Sequence, residues 1–137
     1  VNIKTEELTG AALDWAVAKC EGTTDFRFDT VATYWVTLDG KDRALSKGWA
    51  QSFNPSTDWS QGGPIIEREK IDLIACDADW EAQQNASLPM TAVEGATPLI
   101  AAMRCFVTSK LGDLVEVPDE LCGSYPVSSL CQARQGS

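Results

Sequence analysis

Residues 54–70, NPSTDWSQGGPIIEREK, hold the densest set of chemistry-bearing groups in the chain. Pro55 drives Asn54 toward an extended backbone and so ends the preceding strand. Ser56 or Thr57 then caps a helix, with Asp58 in the first turn, where the helix dipole favours an acid. Gly62-Gly63-Pro64 interrupts this pattern. Each glycine weakens a helix by about 1 kcal/mol, and Pro64 removes the hydrogen bond back to Ser60. Either the helix kinks there, or a short turn ends and a second helix restarts with Pro64 at its first position. A restart would leave N–H groups near Gly62 and Gly63 free at the positive end of PIIERE, a place that suits a phosphate or carboxylate. It is not a Walker loop, because no lysine followed by Ser or Thr comes after the glycines. The competing use is packing, with the glycines letting this segment lie close on the small residues Gly10, Ala11 and Ala12 of the first helix.

Trp59 can stack on a base or plug the sheet edge, and the plug is the preferred reading. A bound nucleotide needs an aromatic platform and convergent donors. Ser56, Thr57, Asp58, Trp59, Gln61, Gly62, Gly63, Arg68 and Arg104 form the candidate ligand-binding set. Ile65 and Ile66 read as core, and Glu67, Arg68 and Glu69 as solvent-facing. Asp58 with Glu67 would make an acid/base pair only if the fold brought the two carboxyls together. The chain has no histidine, which excludes histidine general bases, Ser-His-Asp and Cys-His arrangements and Cys/His zinc sites. No catalytic residue, metal ligand or cofactor is assigned. Of the five cysteines, Cys20, Cys76 and Cys105 read as small core residues. Cys122 and Cys131 flank a short loop and could pair under oxidation.

The 137 residues, 44% hydrophobic and 23% charged, suit one soluble domain. We place it at residues 1–118, with 119–137 as a flexible C-terminal arm. The formal charge of −9 repels a phosphate backbone, so duplex nucleic acid is not an expected partner. No apolar run reaches the ~20 residues that cross a bilayer, and VNIKTEELTG lacks signal-peptide organisation, so the expected location is the cytoplasm without a membrane partner.

The elements that position the candidate set follow from periodicity and caps. A first helix is predicted from Thr5 as N-cap, through Glu6 and Glu7 in its first turn, to Gly22 as stop, with Trp15 in the core. VATYWVTL reads as a strand ending at the Asp39-Gly40 hairpin turn, with a return strand over 43–53 and a bulge at Gly48. KIDLIACD and DWEAQ read as two more strands, the first covered on both faces. Residues 84–96 read as a polar loop. The clearest helix has Thr97 as N-cap, Pro98 at its first position and Gly112 past its end. Its apolar stripe is Leu99, Ala102, Met103, Phe106, Val107 and Leu111, and Arg104 falls off that stripe. The sum is an α+β fold, a single layered domain with a small antiparallel sheet packed against about three helices.

The stretches LTGAALDWAVAKCEG, NPSTDWSQGGPIIERE and TPLIAAMRCFVTSKLGDLVEVPDEL together resemble the phage NinX-like family, small proteins of tailed bacteriophages and prophages of enteric bacteria. That family is similar to a broader set of short phage α-β-α sandwich proteins in which a Ser-Thr-Asp motif opens the middle helix. The resemblance carries over no catalytic residue, and with the small size and the absence of a catalytic constellation it points to a noncatalytic phage accessory protein. Two roles fit. One counteracts a host defence, by sequestering a small nucleotide-like ligand or by binding a defence protein. The alternative is a protein-interaction module in phage replication, recombination or late-gene regulation, with LGDLVEVPDELCGSY as the contact. A homodimer through an exposed β edge is possible.

Overall fold

The computed structural model describes residues 2–23, 26–28, 34–38, 41–45, 52–84, 92–118 and 121. Its centre is a helix, α3 (Pro98–Leu111), and its start is the one the sequence predicts. Thr97 is extended and its hydroxyl accepts from the Ile100 N–H at 3.1 Å. Gly112, at φ +90°, ends it in a conformation that side chains disfavour. Ala101 and Cys105 are buried together with Leu99, Ala102, Met103, Phe106 and Val107. A helix so nearly apolar all round must have neighbours on several sides. It packs against α1 (Gly10–Cys20), α2 (Trp59–Glu69) and one face of a three-stranded sheet.

That sheet is antiparallel, in the order β5 (Ile71–Ala75), β6 (Trp80–Gln84), β7 (Val93–Gly95). The hairpin register pairs Ile71 with Gln84 and Ala75 with Trp80. The expectation that both faces of β5 are covered fails. Ile71 is buried, but Asp72 and Ile74 are exposed, Ile74 by 43%. β7 lies within the stretch read as a polar loop. Its Gly95 is the reason that strand and helix can touch, because a Cβ there would strike the backbone of Ala101.

β2 (Phe26–Phe28), β3 (Tyr34–Leu38) and β4 (Lys41–Ala44) form a second antiparallel sheet, in that order. Leu38 pairs with Lys41, the register expected of an Asp39-Gly40 turn. The return strand is shorter than expected and stops at Ala44, with a parallel bridge from Ala44 to Ser52. The bulge assigned to Gly48 and the Cys122–Cys131 pairing lie outside the described residues.

The chain end nearest α3 corrects a further expectation. Leu114–Glu116 is a strand, β8, paired antiparallel with β1 (Asn2–Lys4). Val115 and Val117 are buried, so this part of the acidic segment is core structure and not a free contact peptide. The antiparallel pairing therefore spreads over three small sheets. The helix foreseen from Thr5 also divides. Thr5–Glu7 is a single 3-10 turn, and α1 begins at Gly10, whose φ of +58° breaks the path between them. The buried Thr5 donates to the Gly112 carbonyl at 2.6 Å, tying this turn to the end of α3. Trp15 is core, 5% exposed, tilted against Phe26 and covered by the Lys19 ammonium. Cys105 is buried and Cys20 partly so, but Cys76 is exposed at the end of β5, contrary to its core reading.

Candidate functional site

The start of α2 is fixed by a dense local network. The Asn54 carbonyl accepts from the N–H groups of Thr57 and Asp58, both at 3.0 Å, closing a turn over Pro55. Asp58, not Ser56 or Thr57, is the N-cap. Its backbone is extended, and its carboxylate accepts from the Ser60 N–H at 2.9 Å and the Ser60 hydroxyl at 2.7 Å. Those Ser60 hydrogen bonds, with one from Gln61, hold the Asp58 carboxyl below its ordinary pKa. Gln61 clamps the turn from inside. Its amide nitrogen faces the Ser52 carbonyl, the Asn54 amide oxygen and the Asp58 carboxylate, and its oxygen accepts from the Asn54 N–H at 2.9 Å.

Ser56 and Thr57 face different ways. Ser56 is 1% exposed, and its N–H donates to the carboxylate of Asp14 at 2.9 Å. Asp14, on α1, is 4% exposed and is the buried acid that seats this turn. The sequence reading did not single it out, although a lone acid inside the apolar run AALDWAVA was the available signal. Thr57 is exposed and accepts from the Asn54 side chain at 3.1 Å.

α2 is one continuous helix from Trp59 to Glu69 with Pro64 inside it, so the restart at Pro64 does not occur. The Gly62 N–H donates to the Asp58 carbonyl at 2.9 Å and is not a free anion donor. Gly62 is a packing residue, though not against the small residues of α1. A Cβ there would lie 2.5 Å from the Pro55 carbonyl oxygen and 2.6 Å from Leu99 of α3. Gly63 differs, since a Cβ there would meet nothing within 4 Å. Trp59, at the first helical position, is 54% exposed and does not plug the sheet edge.

The two arginines have other duties. Arg68 sits nine residues beyond Trp59, roughly 13 Å along the helix axis. Its guanidinium bonds both oxygens of Glu21, at 2.8 and 3.3 Å, and Glu69 at 2.9 Å, and lies 5.6 Å from the Phe106 ring. Arg104 donates to the carbonyls of Leu8 and Glu94, each at 2.8 Å. It lines a cleft of about 1010 Å³ whose charged walls are mainly carboxylates, including Glu6, Glu7, Glu81 and Asp113. The structure thus gathers Ser56, Thr57, Asp58, Trp59, Gln61, Gly62 and Gly63 at one helix end and gives Arg68 and Arg104 separate partners. Asp58 and Glu67, nine residues apart on one helix, have backbones roughly 13 Å apart along its axis, beyond the spacing of a glycosidase pair.

The exposed part of the cluster offers an indole face, a carboxylate held ionised, and the side chains of Asn54, Thr57 and Ser60. Chemically it can stack a flat ring and accept hydrogen bonds from hydroxyl or amino groups. No curated protein matches the chain. The family model described as bacteriophage P22, NinX matches residues 4–110, a span that runs from β1 through α1, the α2 cluster and nearly all of α3. The chain belongs to the bacteriophage P22 NinX family.

Proposed function

We propose that this phage accessory protein is noncatalytic and counteracts a host defence in the host cytoplasm by sequestering a small nucleotide-like ligand at the start of α2. The observation that carries the reading is Trp59, half exposed at the first position of a helix that Asp58 and Gln61 hold rigidly. An indole exposed on a fixed helix end presents a flat apolar face on which a base can stack. A base stacks on Trp59 while ribose hydroxyls or exocyclic amines donate to Asp58. The ionised Asp58 disfavours a phosphate at the same point, so the ligand is recognised through its base and sugar, with its phosphates directed away.

A second reading has its own support. Arg68 and Arg104 are already engaged by carboxylates or carbonyls, and an exposed tryptophan on a rigid helix is also the kind of residue that anchors a protein interface. On that reading Trp59 binds a defence protein or a phage replication protein.

Native mass spectrometry of the protein purified from phage-infected cells, followed by heat release, separates the two. A nucleotide-like molecule released intact from the wild type, and held roughly 10- to 100-fold more weakly by Trp59→Ala, supports sequestration. An apo mass with no stabilisation by nucleotides, together with a protein captured by the wild type and lost from Trp59→Ala, transfers the function to protein binding.

A further inference from the structure

β5 is an edge strand of its three-stranded sheet. Among the described residues β5 has β6 as its strand partner, and the sheet order leaves its other edge open. The Cys76 N–H donates to the Asp79 carbonyl at 2.9 Å, which makes Cys76 and Asp79 a hydrogen-bonded antiparallel pair. Such pairs alternate along the ladder. Asp72 and Ile74 therefore turn their backbone groups toward β6, and Ile71, Leu73 and Ala75 turn theirs outward. The strand is exposed where an incoming chain would arrive, at Asp72, Ile74, Ala75 and Cys76.

The side chains on the outer face say which chain fits. Asp72 and Ile74 share that face with Glu81, which is paired with Ile74, and with Glu94, which is paired with Glu81. A second copy of this protein would bring the same carboxylates and another charge of −9 against them, and a charged residue on an edge strand blocks such self-pairing. We infer that the β5 edge receives an extended segment of a partner protein that alternates apolar and basic residues. Its backbone pairs with Ile71, Leu73 and Ala75. Its apolar residues turn inward beside Leu73. The basic ones lay their hydrocarbon stems over Ile74 and reach Asp72 and Glu81 with their charged ends.

The test uses the full chain and a capped seven-residue peptide alternating valine and lysine. Controls are a peptide with glutamate for lysine and one of the same composition without alternation. Fluorescence anisotropy should show saturable binding of the first and at least tenfold weaker binding of both controls, with amide exchange slowed at Ile71, Leu73 and Ala75. Ala75→Pro deletes an outward N–H that the β5–β6 ladder does not use. It should weaken binding at least tenfold with little change in the thermal midpoint, and Asp72→Lys should do so by removing the charge match even if the proline variant folds poorly. Equal binding of all three peptides, none at millimolar concentration, or indifference to both substitutions overturns the inference. So does sedimentation showing a wild-type dimer that Asp72→Lys disperses, since a second copy would then occupy the edge.

Discussion

The two adjacent glycines of α2 should respond to alanine unequally. In a helix interior, alanine is better than glycine by about 1 kcal/mol, a gain available at Gly62 but offset at Gly63 by the proline that follows it. At Gly62 the new Cβ would sit 2.5 Å from the Pro55 carbonyl oxygen, about 0.9 Å inside the 3.4 Å where ordinary van der Waals contact begins. Leu99 could turn a methyl aside, but the carbonyl is backbone, and its turn is held by the Asn54 hydrogen bonds to Thr57 and Asp58. Overpacking of this kind costs about 1–3 kcal/mol, and a clash with fixed backbone belongs to the upper part of that range, about 2–3, so after the helix gain of about 1 kcal/mol Gly62→Ala should lose roughly 1–2 kcal/mol net. A Cβ at Gly63 meets nothing beyond its own chain neighbours, but Pro64 follows it and disfavours the helical conformation for any residue with a Cβ, so Gly63→Ala should stay within about 1 kcal/mol of the wild type. For a domain of this size, 1 kcal/mol moves the thermal midpoint by about 3–5 °C. Thermal and urea denaturation of the two single variants beside the wild type would measure the split. If Gly62→Ala is as stable as the wild type, or Gly63→Ala is the more damaging change, the assignment of Gly62 to packing and Gly63 to open surface is wrong.

Asp14→Ala should cost about 1–3 kcal/mol, because it strands the buried Ser56 N–H, and urea unfolding would show it as a lower midpoint. The carboxyls of Asp58 and Glu69 are depressed by hydrogen bonds from Ser60 and from Arg68 respectively. A carboxyl depressed on folding contributes stability that is whole above its ordinary pKa and is lost as pH falls through its folded-state value. Urea midpoints should therefore decline on acidification below about pH 4, and Asp58→Asn, which keeps a cap, should flatten the decline. Burial pushes the Cys20 thiol up to about 12 and that of Cys105 to about 11. Iodoacetamide on the native chain followed by peptide mapping should therefore label the exposed Cys76 well before either. Arg104→Met should cost roughly 2 kcal/mol by removing charged hydrogen bonds that join the Leu8 segment to β7, again read as a urea midpoint.

Local chemistry determined much of this protein in advance. α3 is announced by Thr97, Pro98 and Gly112, and β5 by the run IDLI, because caps, φ restriction and strand propensity act over a few residues. The NinX resemblance rests on blocks that hold α1, α2 and α3. The tertiary structure decided what depends on partners distant in sequence. β1 and β8 are three-residue strands with little propensity of their own, and each exists because the other lies beside it. Val115 falls in a segment read as a protein contact, and its pairing with Ile3 makes it core. Gly62 and Gly63 are adjacent residues of one type, yet only Gly62 is pressed against Pro55 and Leu99. The candidate cluster around Asp58 could be read from its hydrogen-bonding residues, but the removal of Arg68 and Arg104 from it could not. Their partners, Glu21 for one and Leu8 and Glu94 for the other, are set by how three helices and a sheet pack, and no spacing within the chain records that.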